Sequence, residues 1–258
     1  MPGSAFSLGR CGQIRAQGRD SAGRLRPATP DPRRRPPGHC LSNDPDLVLD
    51  RIQEVARGAL DDGLVFEVDD AVADTIRDQD QYCGTRVSMA CQLAKARIAF
   101  HVDVSVGAPI SPSAGMLRLP RLLGGQIDLL AYPLSMVFAK KVVTAMERRL
   151  ANTRRRDFAD IYLLSRHQAI DGNELQDSLQ VVADHRGVSL APLAVTLGGI
   201  VAFGETRWRA WARKQKLDDR LPDFGTVIAA VSAFADPAIT GRVKAMVWNH
   251  LALEWQES

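Results

Sequence analysis

Cysteine is scarce, and its spacing carries no metal or disulfide signature. The four cysteines, Cys11, Cys40, Cys83 and Cys91, include no CxxC pair. Free thiols in a reducing compartment are the simplest reading. Long apolar runs are missing too. A membrane-spanning helix needs about 18 consecutive apolar residues, and none occur, so no membrane partner is expected. The start of the chain lacks the basic, then apolar, then small order of a secretory signal. Together these absences give a cytoplasmic protein as the expectation. No charge of one sign dominates either. Lys and Arg number 33 against 30 Asp and Glu, and a net charge of +3 permits nucleic-acid contact without arguing for it. No internal repeat is visible. What remains is an ordinary globular composition, and 258 residues are enough for one or two domains with a sizeable core.

Residues 1–40 do not read as folded structure. Arg, Gly, Pro, Ser and Ala dominate, and Asp31-Pro32-Arg33-Arg34-Arg35-Pro36-Pro37-Gly38 offers almost nothing to a core. Such a stretch cannot bury enough apolar surface to offset its ordering entropy. Three readings stay open: a disordered basic tail, a non-native segment translated from the wrong frame or start, and an Arg-rich RNA-binding arm.

Beyond residue 40 the pattern changes. Ser42-Asn43-Asp44-Pro45 is a helix start, with a capping side chain and Pro in the first turn. Leu47, Val48, Ile52, Val55, Ala56 and Ala59 follow at helical spacing, and Asp61-Asp62-Gly63 ends the helix. Residues 64–68 predict a strand, and Asp70 to Ile76 a short helix. Two strands are expected over Thr85–Gln92 and Arg97–Val106. In the second, Ile98, Phe100, Val102, Val104 and Val106 share one face, while His101, Asp103 and Ser105 share the other. One face therefore packs on a core and the other presents a carboxylate. A Pro, Ser and Gly-rich loop is expected from Gly107 through Gly125. Helices are expected over 134–151, 157–167, 173–183, 206–216, 224–235 and 238–255. The predicted domains are 41–130, α+β, and 131–258, helical throughout.

Some ionisable residues fall where the core should be. Leu134, Phe138 and Ala145 mark one stripe of the 134–151 helix, and Lys141 lies inside it. A lysine on such a stripe either holds an anion such as a phosphate or extends its ammonium to water. Lys140 points away and is expected to be solvated. Asp157 precedes Ile161 and Leu164 by one and two turns, so it faces the packed side. It also suits the positive end of a helix dipole. Arg154, Arg155 and Arg156 read as either a solvated loop or a contact for polyphosphate or RNA backbone. The four tryptophans are expected in the core or an interface.

Two stretches together resemble the nucleotidyltransferase AbiEii/AbiGii toxin family, MenT-type toxins included. The first is Ile98 to Gly107, with Asp103 between apolar neighbours. The second runs from Tyr132-Pro133-Leu134 through Lys140-Lys141 to Arg154-Arg155-Arg156-Asp157-Phe158-Ala159-Asp160-Ile161-Tyr162-Leu163-Leu164. The resemblance covers roughly residues 41–190. It implies a nucleotidyltransferase-like head with a small mixed or antiparallel sheet, followed by a helical C-terminal domain. It also implies Asp103 as a carboxylate of an Mg²⁺ site, Lys141 as a contact to the NTP triphosphate, and Asp157 as a further catalytic acid. Arg154 and Arg156 would then bind substrate. The implied partners are an RNA acceptor, with tRNA the first candidate, and a cognate antitoxin protein.

The sequence departs from the family pattern at its first motif. A Gly-Gly or Gly-Ser turn followed by Asp-x-Asp is expected just before Leu41, where Arg33 to Cys40 stand instead. Asp44-Pro45-Asp46 has the letters but sits at a helix start. Lys140 replaces the family's Glu before the motif lysine, and Ala108 follows Gly107 where Asp is common. Loss of two of three carboxylates is expected to weaken metal binding and turnover. Two alternatives therefore stand beside an active toxin. One is a catalytically inactive nucleotidyltransferase-fold protein, serving as a binding module or persisting as a degenerate toxin remnant. The other is a helical DNA- or RNA-binding protein.

Overall fold

The computed structural model describes residues 44–258 except 59, 61, 78–82, 122–123 and 150–153. Residues 1–40, read above as a disordered or non-native segment, lie outside the described residues, as do Cys11 and Cys40. Backbone contacts divide the chain at Gly107. The sequence-based boundary at 130/131 lies further on, past a hairpin that groups with the helices.

In the N-terminal unit, helix α1 (Pro45–Ala56) starts as its sequence dictates. Asp44 caps it by accepting the Asp46 N–H at 3.0 Å, with Pro45 in the first turn. Strands β1 (Leu64–Phe66), β2 (Val72–Arg77), β3 (Cys83–Leu93) and β4 (Ala96–Ser105) form an antiparallel sheet. β3 is central, with β1 and β2 along one edge and β4 along the other. The β3–β4 register puts Val87 opposite Val102 and Met89 opposite Phe100 on one face. On the other face, Arg86 stands opposite Asp103, Ser88 opposite His101, and Gln92 opposite Arg97. Val48 of α1 packs with Ala71, Val87 and Met89, joined by Ile52, Phe66, Phe100 and Val104. The apolar face expected of β4 is thus the packed one, except that Ile98 remains 45% exposed.

The helix expected over Asp70–Ile76 is not formed. Val68–Asp70 makes a single 3-10 turn, and Val72–Arg77 is strand β2, paired residue by residue with β3. An Asp ahead of a short apolar run fits a helix cap as well as a turn. The deciding term is non-local: the long β3 needs a partner for its backbone groups.

The C-terminal unit, Ala108–Ser258, begins with a second correction. The expected loop contains a hairpin of β5 (Gly115–Pro120) and β6 (Gln126–Ala131). Helices α2 (Leu134–Arg148), α3 (Arg155–Leu164), α4 (Gly172–Arg186), α5 (Leu193–Thr196), α6 (Ile200–Lys214) and α7 (Phe224–Ile239) follow. α2 is the centre of this unit. Met136, Phe138, Ala139, Val142, Val143 and Ala145 have no exposed surface, and α3, α4 and α5 pack around it. Capping marks the helix ends. Asp171 accepts the Glu174 N–H at 2.9 Å ahead of α4, and Gly187 closes that helix in the left-handed region at φ 63°. Asp223 caps α7 through Thr226.

The final helix expected over Ala238–Trp255 is also corrected. α7 ends at Ile239, and β8 (Met246–Asn249) and β9 (Glu254–Glu257) form a hairpin that pairs with β7 (Ile170–Asp171). Trp248 and Trp255, seven residues apart, match a helical repeat but are cross-strand partners, with centroids 5.5 Å apart. Phe234 packs against both rings. The indole N–H of Trp248 donates to the Ser165 carbonyl at 2.6 Å, and that of Trp255 to the Phe234 carbonyl at 3.0 Å. The chain is therefore α+β, with antiparallel sheets and a C-terminal part that is mainly helical. Among the described residues, no helix is long and apolar enough to cross a membrane.

Candidate functional site

Helix periodicity places Lys141 on the inner side of α2, and the first turn of α3 brings two carboxylates to it. The Lys141 ammonium donates to Asp157 Oδ1 at 2.9 Å and to Asp160 Oδ2 at 2.8 Å. Asp157 and Asp160 lie three residues apart, so one helix face presents both. The cluster is largely shielded from water: the Lys141 side chain is 20% exposed and that of Asp157 14%. Burial pulls the lysine pKa down. The bonds to Asp160 and Asp157 more than offset this and hold it above the ordinary lysine value. The ammonium bridges two acids, an arrangement that neither expectation included.

An ammonium has three protons, and two are used here. The third has no protein acceptor among the described residues. Two acids around one cation leave a local charge of about −1, so an incoming anion gains less than it would at an unpaired lysine. Lys140 is not freely solvated as expected. Its ammonium lies 3.7 Å from the centroid of the Tyr132 ring.

Arg154 stands at the N-cap of α3, and Arg156 lies in its first turn, one turn before Asp160. Both side chains are exposed, and the Arg154 carbonyl accepts the Asp157 N–H at 3.0 Å. Residues 150–153 ahead of them lie outside the described residues.

Asp103 sits on β4 in the N-terminal unit. Its carboxylate is gripped by Arg86 across the strand pair, with Nε to Oδ1 at 2.7 Å and Nη2 to Oδ2 at 2.8 Å. The guanidinium beside it holds the Asp103 carboxyl below its ordinary value. The structure therefore joins Lys141 to Asp157, and it gives Asp103 a partner of its own. Among the described residues, no group of three His, Cys, Asp or Glu side chains is placed to hold a metal ion. An open concavity of about 380 Å³ on the N-terminal unit is lined by Asp70, Ser88, Arg97 and His101 among others, and includes none of the predicted site residues.

Two partners escaped the sequence reading. Asp160 could have been found, because a spacing of three on a helix places it beside Asp157. Arg86 could not, since only the strand register puts it opposite Asp103.

The chain is α+β, with a lysine bridging two acids where α2 meets α3. The family described as Nucleotidyl transferase AbiEii toxin, Type IV TA system, matches residues 39–230. The chain belongs to this family, in agreement with the resemblance drawn from Ile98–Gly107 and Tyr132–Leu164. The family is one of toxins in a toxin–antitoxin system, which implies an antitoxin partner and a nucleotide substrate. No curated protein and no solved structure matches the chain.

Proposed function

We propose that this chain transfers a nucleotide from an NTP to an RNA acceptor, with tRNA the first candidate, as a cytoplasmic toxin countered by its cognate antitoxin. The observation that carries this reading is the Lys141 bridge to Asp157 and Asp160, inside the stretch matched by the family. An RNA hydroxyl oxygen attacks the α-phosphorus of the NTP. The new P–O bond forms as the bond between the α-phosphorus and the α–β bridging oxygen breaks, pyrophosphate leaves, and the hydroxyl proton passes to water. Lys141 spends its third N–H on a phosphate oxygen, and Asp157 and Asp160 fix the direction of that proton. Arg154 and Arg156, at the start of α3, add positive charge for the polyphosphate.

Family resemblance implies Mg²⁺, but the described donors do not fit a two-metal site. Asp103 is a single carboxylate with both oxygens on Arg86, whereas such sites require several carboxylates free to bind. The same observation favours a second reading, in which the chain is catalytically inactive and persists as a binding module or a degenerate toxin.

One assay separates the two. Purified protein is incubated with Mg²⁺, each α-labelled NTP in turn, and total tRNA. Label in RNA is the expected result. No label with any NTP sinks the transfer reading and leaves the inactive one.

A further inference from the structure

Helix α6 commits one face to the core and leaves the other strongly basic. Ile200, Trp208 and Ala212 are buried, and Gly204 lets the helix come close to the Phe224 ring. At 100° per residue the opposite face carries two cationic rails. Arg207 and Lys214 lie along one side, and Arg209 and Arg213 along the other, with Phe203, Thr206 and Ala210 between them. All seven side chains are exposed, and Phe203 is 80% exposed.

The acids do not cancel this charge. Glu205 binds Arg209 Nε at 2.6 Å and also accepts the Phe224 N–H at 2.8 Å. Among the described residues, Arg207, Arg213 and Lys214 have no carboxylate partner. Asp218 and Asp219 lie beyond the helix end. An exposed phenylalanine between arginines without carboxylate partners fits a polynucleotide, whose phosphates take the cations and whose bases stack on the ring. A membrane surface fits poorly, because an interfacial helix needs its apolar face for lipid and this one has buried it.

We propose that the solvent face of α6 is a docking strip for an RNA strand, with phosphates on the two rails and an unpaired base on Phe203. The choice of RNA over DNA rests on the acceptor reading above; the polyanion chemistry does not.

The test uses the full chain and fluorescence anisotropy with a labelled tRNA transcript between 50 and 200 mM salt, as about the range in which counterion release is read. Duplex DNA and phosphatidylglycerol vesicles serve as competing arms. Wild type is expected to prefer tRNA, with affinity falling steeply as salt rises. The triple variant Arg207→Gln, Arg213→Gln, Lys214→Gln should lower the log–log salt slope by about 2, since each lost phosphate contact removes roughly 0.7 on a single strand. Phe203→Ala should weaken binding about fivefold or more at an unchanged slope.

Wild-type affinity and slope in the triple variant, with unaltered circular dichroism and Tm, overturn the proposal. So does equal or tighter binding of DNA or vesicles, which removes RNA as the occupant. If the variant loses tRNA binding while wild type transfers no nucleotide, the docking strip stands and the transfer reading falls. If transfer proceeds and tRNA binding ignores the variant, the strip alone falls.

Discussion

Lys141 holds two acids with one ammonium, and this sets what its removal does. Lys141→Met leaves Asp157 and Asp160 facing each other without a cation. Breaking a fully buried pair costs about 3–5 kcal/mol, and partial exposure reduces this to roughly 2 kcal/mol. Urea denaturation reads the loss. Adding Asp157→Asn and Asp160→Asn removes the repulsion, so the triple variant should recover most of the stability while remaining unable to bind a triphosphate. A triple variant as unstable as Lys141→Met would show that the cluster's charge is not what holds it. The pH dependence follows from the raised lysine pKa. The contribution is complete below the ordinary value of 10.5 and is lost as pH climbs through the higher folded value. Wild type should therefore show a steeper alkaline loss of stability than Lys141→Met above that point. Asp103 behaves in the opposite sense. Its Arg86 partner lowers its pKa, so the linkage is present above 3.8 and is lost as pH falls through the folded value. In Arg86→Met, a carbon NMR titration should find the Asp103 carboxyl back near its ordinary value.

At the scale of elements, the α6–α7 contact gives a sharp test. Gly to Ala in a helix interior usually stabilises by about 0.5–1 kcal/mol. At Gly204 the added methyl would sit 2.5 Å from Phe224 Cε1. The Phe224 ring cannot retreat easily, because it stacks on Trp208 at 5.1 Å and meets Phe158 edge-on at 5.7 Å. Gly204→Ala should therefore destabilise by about 1–3 kcal/mol, the cost of overpacking. A raised Tm would contradict this packing. The sequence reveals an element where its signal is local and fails where partners decide. α1, α2, α4 and α7 are legible from apolar periodicity, and the start of α1 also from Asp44-Pro45. β2, the β5–β6 hairpin and the terminal β8–β9 hairpin are not. β2 forms because β3 completes it, and β8–β9 because β7, the Ser165 carbonyl and the Phe234 ring complete it, whereas the β5–β6 hairpin pairs only within itself among the described residues. The candidate site divides in the same way. Lys141, Asp157 and Asp160 follow from helical spacing, whereas the Arg86 grip on Asp103 needs the β3–β4 register.

At the scale of the whole molecule, family membership and the α+β architecture agree, and the lysine cluster is the location we propose for the family's chemistry. The account requires the Lys141 ammonium to act on the nucleotide as well as to tie α2 to α3. Stability alone cannot separate these roles, since both are lost with the charge. The most direct measurement is nucleotide transfer to total tRNA by wild type and by the triple variant Lys141→Met, Asp157→Asn, Asp160→Asn, compared at a temperature where denaturation curves show both fully folded. The account predicts labelled RNA from wild type and at least about a hundredfold less from the variant, as expected when a preorganised charge on the reacting phosphates is removed. Equal labelling by the two proteins would contradict it.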